Sequence, residues 1–212
     1  ALDERAQCSA AQCGAALAPA SDAADGTQNT RGAFASFDCF SAISLMLVGE
    51  VPGSLAALEA LSEHPVSAFV WPALGERLEL LEPPLQQLLV QVESLVAKEL
   101  PALFTAMRIA GVSITLPAAR WLQQCWLNVL PWEALVEALL LPLLHGADFQ
   151  VYLCVAVFQH IEADVLARCH SGDLLPFLLG YPIRGFKPAM VLPFLVRLCE
   201  RHRERVMRSL RI

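Results

Sequence analysis

Lysine is nearly absent from this chain, with two residues, Lys98 and Lys187, in 212. Charge of either sign is sparse: Asp, Glu, Lys and Arg make up 17%, and the formal balance is −6. Neutralising nucleic-acid phosphates takes a basic field, so general nucleic-acid binding is excluded as a working class. Long hydrophobic runs are also missing. The longest uncharged apolar stretches, Ala138–Leu144 and Val151–Phe158, fall well short of the about 18–20 residues a membrane-spanning helix requires. There is no Gly-x-Ser-x-Gly elbow, no Gly-x-x-x-x-Gly-Lys-Ser/Thr loop and no Gly-x-Gly-x-x-Gly turn. Hydrolase and nucleotide-binding chemistry therefore have no foothold. Sustained strand alternation is lacking, and no self-similarity at a period of about 20–50 residues marks a solenoid.

Cysteine is present but unpaired in spacing. The seven residues, at 8, 13, 39, 125, 154, 169 and 199, form an odd set. Cys125 and Cys154 fall on apolar helix faces, where a free thiol packs as a small hydrophobe. A reduced, cytosolic compartment is expected. The five histidines do not cluster with acids or thiols at ligand spacing, and Cys169-His170 lacks the second pair that a zinc site needs. No metal and no cofactor are expected. The N-terminal ALDERAQ is charged and lacks the apolar core of a secretory signal. It begins with Ala rather than Met, so the chain is expected to be a piece of a longer protein.

What is abundant is apolar: 56% of residues. That share implies a well-buried domain, or one that offers an apolar face to a partner. Helix signals run the length of the chain. Residues 1–20 are Ala-rich and predict a helix ending at Pro19, and residues 21–33 predict a mobile polar loop. Phe34–Val48 has helix spacing and is expected to break at Val51-Pro52-Gly53, with Ser54 capping the next short helix up to His64-Pro65. Trp71-Pro72 reads as extended, and Leu74–Leu81 as a further turn or two of helix. From Pro84, Leu85, Leu88, Leu89, Val92, Leu95 and Val96 form one stripe, with Gln86, Gln87, Gln91, Glu93 and Lys98 opposite.

The stretch from Leu100 to Asp164 carries the clearest joints. Pro101 opens a helix that Gly111 follows, and Trp121, Leu122, Cys125, Trp126 and Val129 have the spacing of a single buried helical stripe. Pro131 starts another helix, which Gly146 closes. Asp148 is placed to cap the next, whose buried side would be Phe149, Tyr152, Leu153, Ala156 and Ile161. Ser171–Gly180 reads as a short helix. Lys187–Ile212 opens at Pro188, is interrupted at Pro193 and ends in a basic run. The fold class is all-α: a multi-helix domain of mostly antiparallel packed helices, spanning 1–212, with a core over 34–169 and C-terminal helices over 170–212.

The joints Leu100-Pro101-Ala102-Leu103-Phe104, Gly111-Val112, Trp121-Leu122, Leu130-Pro131 and Gly146-Ala147-Asp148-Phe149 carry a resemblance. In their order and spacing the stretch resembles the C-terminal half of a TBC domain, the helical module that activates GTP hydrolysis by Rab GTPases. The resemblance implies an arginine finger in Ile-x-x-Asp-x-x-Arg and a glutamine finger in Tyr-x-Gln-Gly-Met-Asn. The Arg would neutralise charge on the transferring phosphoryl group, and the Gln would orient the attacking water.

Phe37-Asp38-Cys39-Phe40 resembles the Phe-Trp-x-Phe helix start of the family. Counting back from it reaches Gln12, the candidate vestige of the glutamine finger, with Ala10 where the family has Tyr and Cys13 where it has Gly. Gln12 reads equally well as one polar residue in an Ala-rich helix. Ile-x-x-Asp-x-x-Arg occurs nowhere in the chain, and Arg5 is too close to Gln12 to serve. Where many members have Trp-Asp, Leu139-Leu140 stands. The resemblance therefore implies a degenerate, inactive TBC domain that binds a Rab-type GTPase or other trafficking proteins. Some degenerate members, the broad-minded type among them, act in cilia or flagella, which implies a ciliary or membrane-peripheral setting. An active GTPase activator with its Arg supplied from outside the chain is the second reading, and a helical scaffold unrelated to Rabs the third.

The one concentrated basic feature is Arg197, Arg201, Arg203, Arg205, Arg208 and Arg211. Arg201, Arg205 and Arg208 are the candidates for docking an acidic partner or anionic lipid. A salt-bridged helix end is the plainer reading, with Glu200–Arg203 and Glu204–Arg208 at helix spacing. Pro131-Trp132 and Trp71-Pro72 are candidate exposed aromatics, and Glu133 with Glu137 reads as a solvated face.

Overall fold

A computed structural model describes residues 35–71, 84–180 and 183–211. Among these are eleven helices and no strand: α1 (Ala35–Val48), α2 (Val51–Ser62), α3 (Ser67–Val70), α4 (Pro84–Glu99), α5 (Pro101–Ile109), α6 (Thr115–Gln123), α7 (Trp132–His145), α8 (Asp148–His160), α9 (Glu162–Arg168), α10 (Leu174–Gly180) and α11 (Pro188–Leu210). The all-α expectation holds. The helix expected in residues 1–20, the loop expected over 21–33 and the turns at Leu74–Leu81 lie outside the described residues.

The centre is α8. Between Asp148 and His160 its sequence has no charged side chain, and a helix apolar on every side must be covered on every side. All residues from Asp148 to Phe158 are buried, not only the single side that the spacing predicts. Helices α4, α7 and α11 pack around it. Phe158 meets Trp121 at 4.8 Å, and Trp121 meets Trp126 at 6.1 Å between ring centroids. Large buried side chains of this kind each contribute about 1.5–3 kcal/mol on leaving water. Gln150, the amide inside this core, accepts from Trp126 Nε1 at 3.3 Å and donates to the Phe69 carbonyl at 3.5 Å.

The stripe from Trp121 to Val129 is buried throughout, but it is not one helix. Helix α6 ends at Gln123 and the chain turns left-handed at Cys125 (φ 48°), Trp126 (φ 65°) and Asn128 (φ 64°). Trp126 N–H reaches back to the Trp121 carbonyl and Cys125 N–H to that of Leu122. Those two bonds make a Schellman end, with a cysteine where glycine is usual. A stripe of buried residues marks burial, and here the backbone changes hand beneath it. The same motif ends α5, where Val112 bonds Met107, Gly111 bonds Arg108 and Gly111 has φ 69°.

Other boundaries shift for local reasons. The break after α1 falls at Gly49 (φ 83°), and Val51-Pro52 open α2 because proline is tolerated in a first turn. Ser54 is not a cap. It lies inside α2, donates to Ser44 Oγ at 2.9 Å and pins α2 to α1, while Glu50 takes the cap position. Gln91 sits inside rather than on the polar side of α4, bonding Ser209 Oγ at 2.7 Å. Trp71 is buried against Phe40, stacked at 5.0 Å, whereas Trp132 is 39% exposed. Pro193 does not interrupt α11. The carbonyl it leaves without a helical donor is that of Ala189, and both residues are exposed to water. Helix α11 runs antiparallel to α4, with Gln91 beside Ser209 and Glu99 beside His202.

Gly146 joins α7 to α8 at φ 121°, ψ 163°, a region held essentially by glycine. A Cβ there would stand 2.8 Å from Asp148 Oδ1 and 3.3 Å from Arg203 Nη2. Gly146→Ala is expected to cost about 1–3 kcal/mol or more. Gly111→Ala, also at positive φ but in open surroundings, is expected to cost about 1–2 kcal/mol. Urea unfolding followed by circular dichroism checks the order, and equal losses would show that the packing at Gly146 is not limiting.

Candidate functional site

Gln12, the candidate vestige of the glutamine finger, lies outside the described residues. The family's helix-start position at Phe40 is buried against Trp71. Leu139 is buried and Leu140 is 47% exposed, so the pair standing in place of Trp-Asp puts one side chain in the core and one on the surface.

The basic run has a definite geometry. Arg201 Nη1 lies 3.3 Å from Glu99 Oε2, and His202, 4% exposed, donates from Nε2 to Glu99 Oε1 at 2.7 Å. Arg205 donates to Ser94 Oγ at 3.1 Å, and Arg208 pairs with Glu204 at 2.6 Å. Three of these four contacts tie α11 to α4, and the fourth is local to α11. Arg203 is not paired with Glu200, as helix spacing predicts. It turns inward, donating to the His145 carbonyl at 3.0 Å and approaching Asp148 Oδ2 at 3.9 Å. In one side chain it satisfies the end of α7 and faces the start of α8.

Asp148 is the first residue of α8 and makes no capping bond. It is fully buried. The Tyr152 hydroxyl, one turn further along α8, stands against its carboxyl. Burial raises the Asp148 carboxyl above the usual carboxylate range, and the Arg203 guanidinium opposes the rise. Burial, then the Asp148 charge, pushes the Tyr152 phenol up. Burial likewise pushes up the Cys125 and Cys154 thiols, which makes them packing groups rather than nucleophiles. Sequence spacing signals the Glu204–Arg208 pair but not the hydrogen-bond partners of Arg201, His202, Arg203 and Arg205, which lie 58 to 111 residues away.

Glu133 and Glu137 also part company. Glu133 is a solvated residue, while Glu137 Oε2 accepts the Ala189 N–H at 3.1 Å and caps the first turn of α11. At the C-terminal end of α8 a cleft of about 420 Å³ is lined by Trp121, Ile161 and Phe177 together with Asp164, Arg168 and Asp173. Arg168 is committed there, paired with Asp164 at 3.1 Å and lying 4.4 Å over the Phe177 ring. A smaller groove of about 180 Å³ runs between α1, α2 and α7 and is almost wholly apolar. Among the described residues no three His, Cys, Asp or Glu side chains converge on a metal position.

A family profile described as the broad-minded protein Rab TBC domain matches residues 20–212. The chain is 29% identical over 180 residues to Protein broad-minded of Danio rerio, covering 81% of this chain and 14% of the relative. It is 26% identical over 191 residues to Protein broad-minded of Mus musculus, covering 85% of this chain and 15% of the relative. The chain thus spans about 14–15% of the length of these relatives. No solved structure matches it significantly.

Asp148 couples stability to pH with a definite sign. Its folded form holds the proton more tightly than the unfolded chain, so its contribution is full below the unfolded carboxylate pKa and is lost as pH rises through the raised folded value. Asp148→Asn is therefore expected to gain stability relative to the parent chain on going from about pH 4 to about pH 7. Urea unfolding of both proteins at the two pH values checks this, and a pH-independent difference would overturn it. Arg203→Ala is expected to cost on the order of 1–3 kcal/mol, since it strips a buried carboxylate of its countercharge. Arg208→Ala is expected to cost under about 0.5 kcal/mol, as for other exposed i, i+4 pairs.

Proposed function

This chain belongs to the broad-minded family of Rab TBC domains, and we propose that it works by binding rather than by catalysis. It holds a Rab-type GTPase, or serves as a scaffold in a trafficking assembly, without accelerating GTP hydrolysis. The observation that carries this reading is the lack of Ile-x-x-Asp-x-x-Arg anywhere in the 212 residues. The use made of the arginines that are present supports it. A finger must be free to reach a phosphate held by another protein. Arg168, Arg201, Arg203, Arg205 and Arg208 are all engaged inside the chain. The setting we assign is cytoplasmic and peripheral to trafficking membranes, in a cilium or flagellum. Among the described residues no single helix is long and apolar enough to cross a membrane.

Single-turnover GTP hydrolysis by a panel of Rab-type GTPases, with and without this chain, tests the reading beside a direct binding measurement. Binding with an unchanged hydrolysis rate is expected. Acceleration of any member by about a hundredfold or more would overturn it, an arginine finger supplying about 10³–10⁵. Arg108, Arg120 and Arg184 are exposed and form no ion pair among the described residues, so they are where a substitute finger would then be sought.

A further inference from the structure

Helix α7 is apolar on two faces. One face, with Leu135, Ala138 and Leu139, is buried in the core. The other carries Leu140 at 47% and Leu144 at 73% exposure, one turn apart. A helix apolar on both faces is normally covered on both. Opposite the open face stands the α1–α2 hairpin, where Leu47 and Val48 are 52% and 43% exposed, and the groove between them has Ile43 in its floor. Nine of the fifteen large exposed hydrophobics among the described residues lie on α1, α2 and α7. Leu47, Val48 and Leu140 share the walls of one groove, and exposed apolar side chains gathered in this way mark a binding surface.

The charges around the patch decide what can cover it. Residues 35–71 contain no Lys or Arg, and neither does α7. The exposed charges on these segments include Glu50, Glu59, Glu63 and Glu133, and none of the four is ion-paired among the described residues. An anionic membrane would be repelled by carboxylates on the helices that form the groove. So would a second copy of the same face, since a two-fold contact sets each patch against itself. We propose that the α1–α2–α7 groove docks a basic amphipathic helix of another protein. Its apolar stripe would lie in the groove, with Lys and Arg at its edges facing the glutamates. The inference does not depend on GTPase binding.

A fluorescent amphipathic Leu–Lys helical peptide, titrated with the chain and read by anisotropy, tests this beside a matching Leu–Glu peptide. The basic peptide is expected to bind at least about tenfold more tightly than the acidic one. Leu47→Lys with Leu140→Lys is expected to weaken it about tenfold or more, with helix content unchanged. Glu59→Lys with Glu133→Lys alters only solvated positions and is expected to narrow or invert the preference between peptides. Equal binding of both peptides, binding indifferent to these substitutions, sedimentation with anionic vesicles instead of peptide, or self-association that the leucine substitutions abolish would each overturn the proposal. A Rab-type GTPase binding assay on the same variants separates failure of this groove from failure of the GTPase-binding reading.

Discussion

The interaction on which the rest of this structure depends is the burial of α8 on all sides. A helix with no polar face gains nothing from solvent, and its neighbours must supply complete cover. Helices α4, α7 and α11 do so, with the Trp121–Phe158 contact closing the C-terminal end. The cost concentrates at the other end, where the first turn must bring the Asp148 carboxylate indoors. There Arg203 reaches across from α11 and addresses both the last turn of α7 and the Asp148 charge. The demand made by one apolar helix thus fixes the placement of the C-terminal helix, the conformation of Gly146 and the role of an arginine 58 residues from the carbonyl it binds.

Because charge is scarce in this chain, its uses are informative. In a surface rich in Lys and Glu most ion pairs are interchangeable and contribute little. Here Glu99 serves both Arg201 and His202, Glu137 caps α11, Arg168 covers Phe177 and Arg203 bridges two helix ends. Among the arginines of α11, which as a sequence look like a basic docking patch, Arg201 and Arg205 act as struts against α4 and Arg203 as one against α7 and α8.

What was legible in the sequence follows what is local. The helix opened by Pro101, the one that Pro131 precedes as its N-cap, and the turn at Gly111 declare themselves because proline at a helix start and glycine at a left-handed end are decided by their own backbone. The all-α class and the TBC resemblance were readable on the same grounds. The left-handed turn at Cys125 was not, since a cysteine gives no conformational signal and the apolar spacing runs on through the break. Ser54 and Asp148 carry the side chains of caps, yet the tertiary packing uses one as a cross-helix hydrogen bond and buries the other. The unbroken course of α11 through Pro193 depends on which side of the helix meets water, and spacing alone does not report that. The roles of Glu99, His202 and Arg203 are settled by partners far off in sequence, so no motif could announce them.

The distribution of charge gives the domain two unlike ends. From Ala35 to Trp71 and along α7 there is no Lys or Arg, and these segments carry apolar residues open to solvent as well as glutamates in no ion pair among the described residues. Along α11 the arginines are numerous, and most are already satisfied by the chain itself. Apolar surface left uncovered gives a partner its affinity, and unpaired charge gives it direction. Both are found together at the α1–α2–α7 end and are largely consumed at the α11 end. In this chain the surface best equipped to hold a partner is the groove, not the conspicuous arginines.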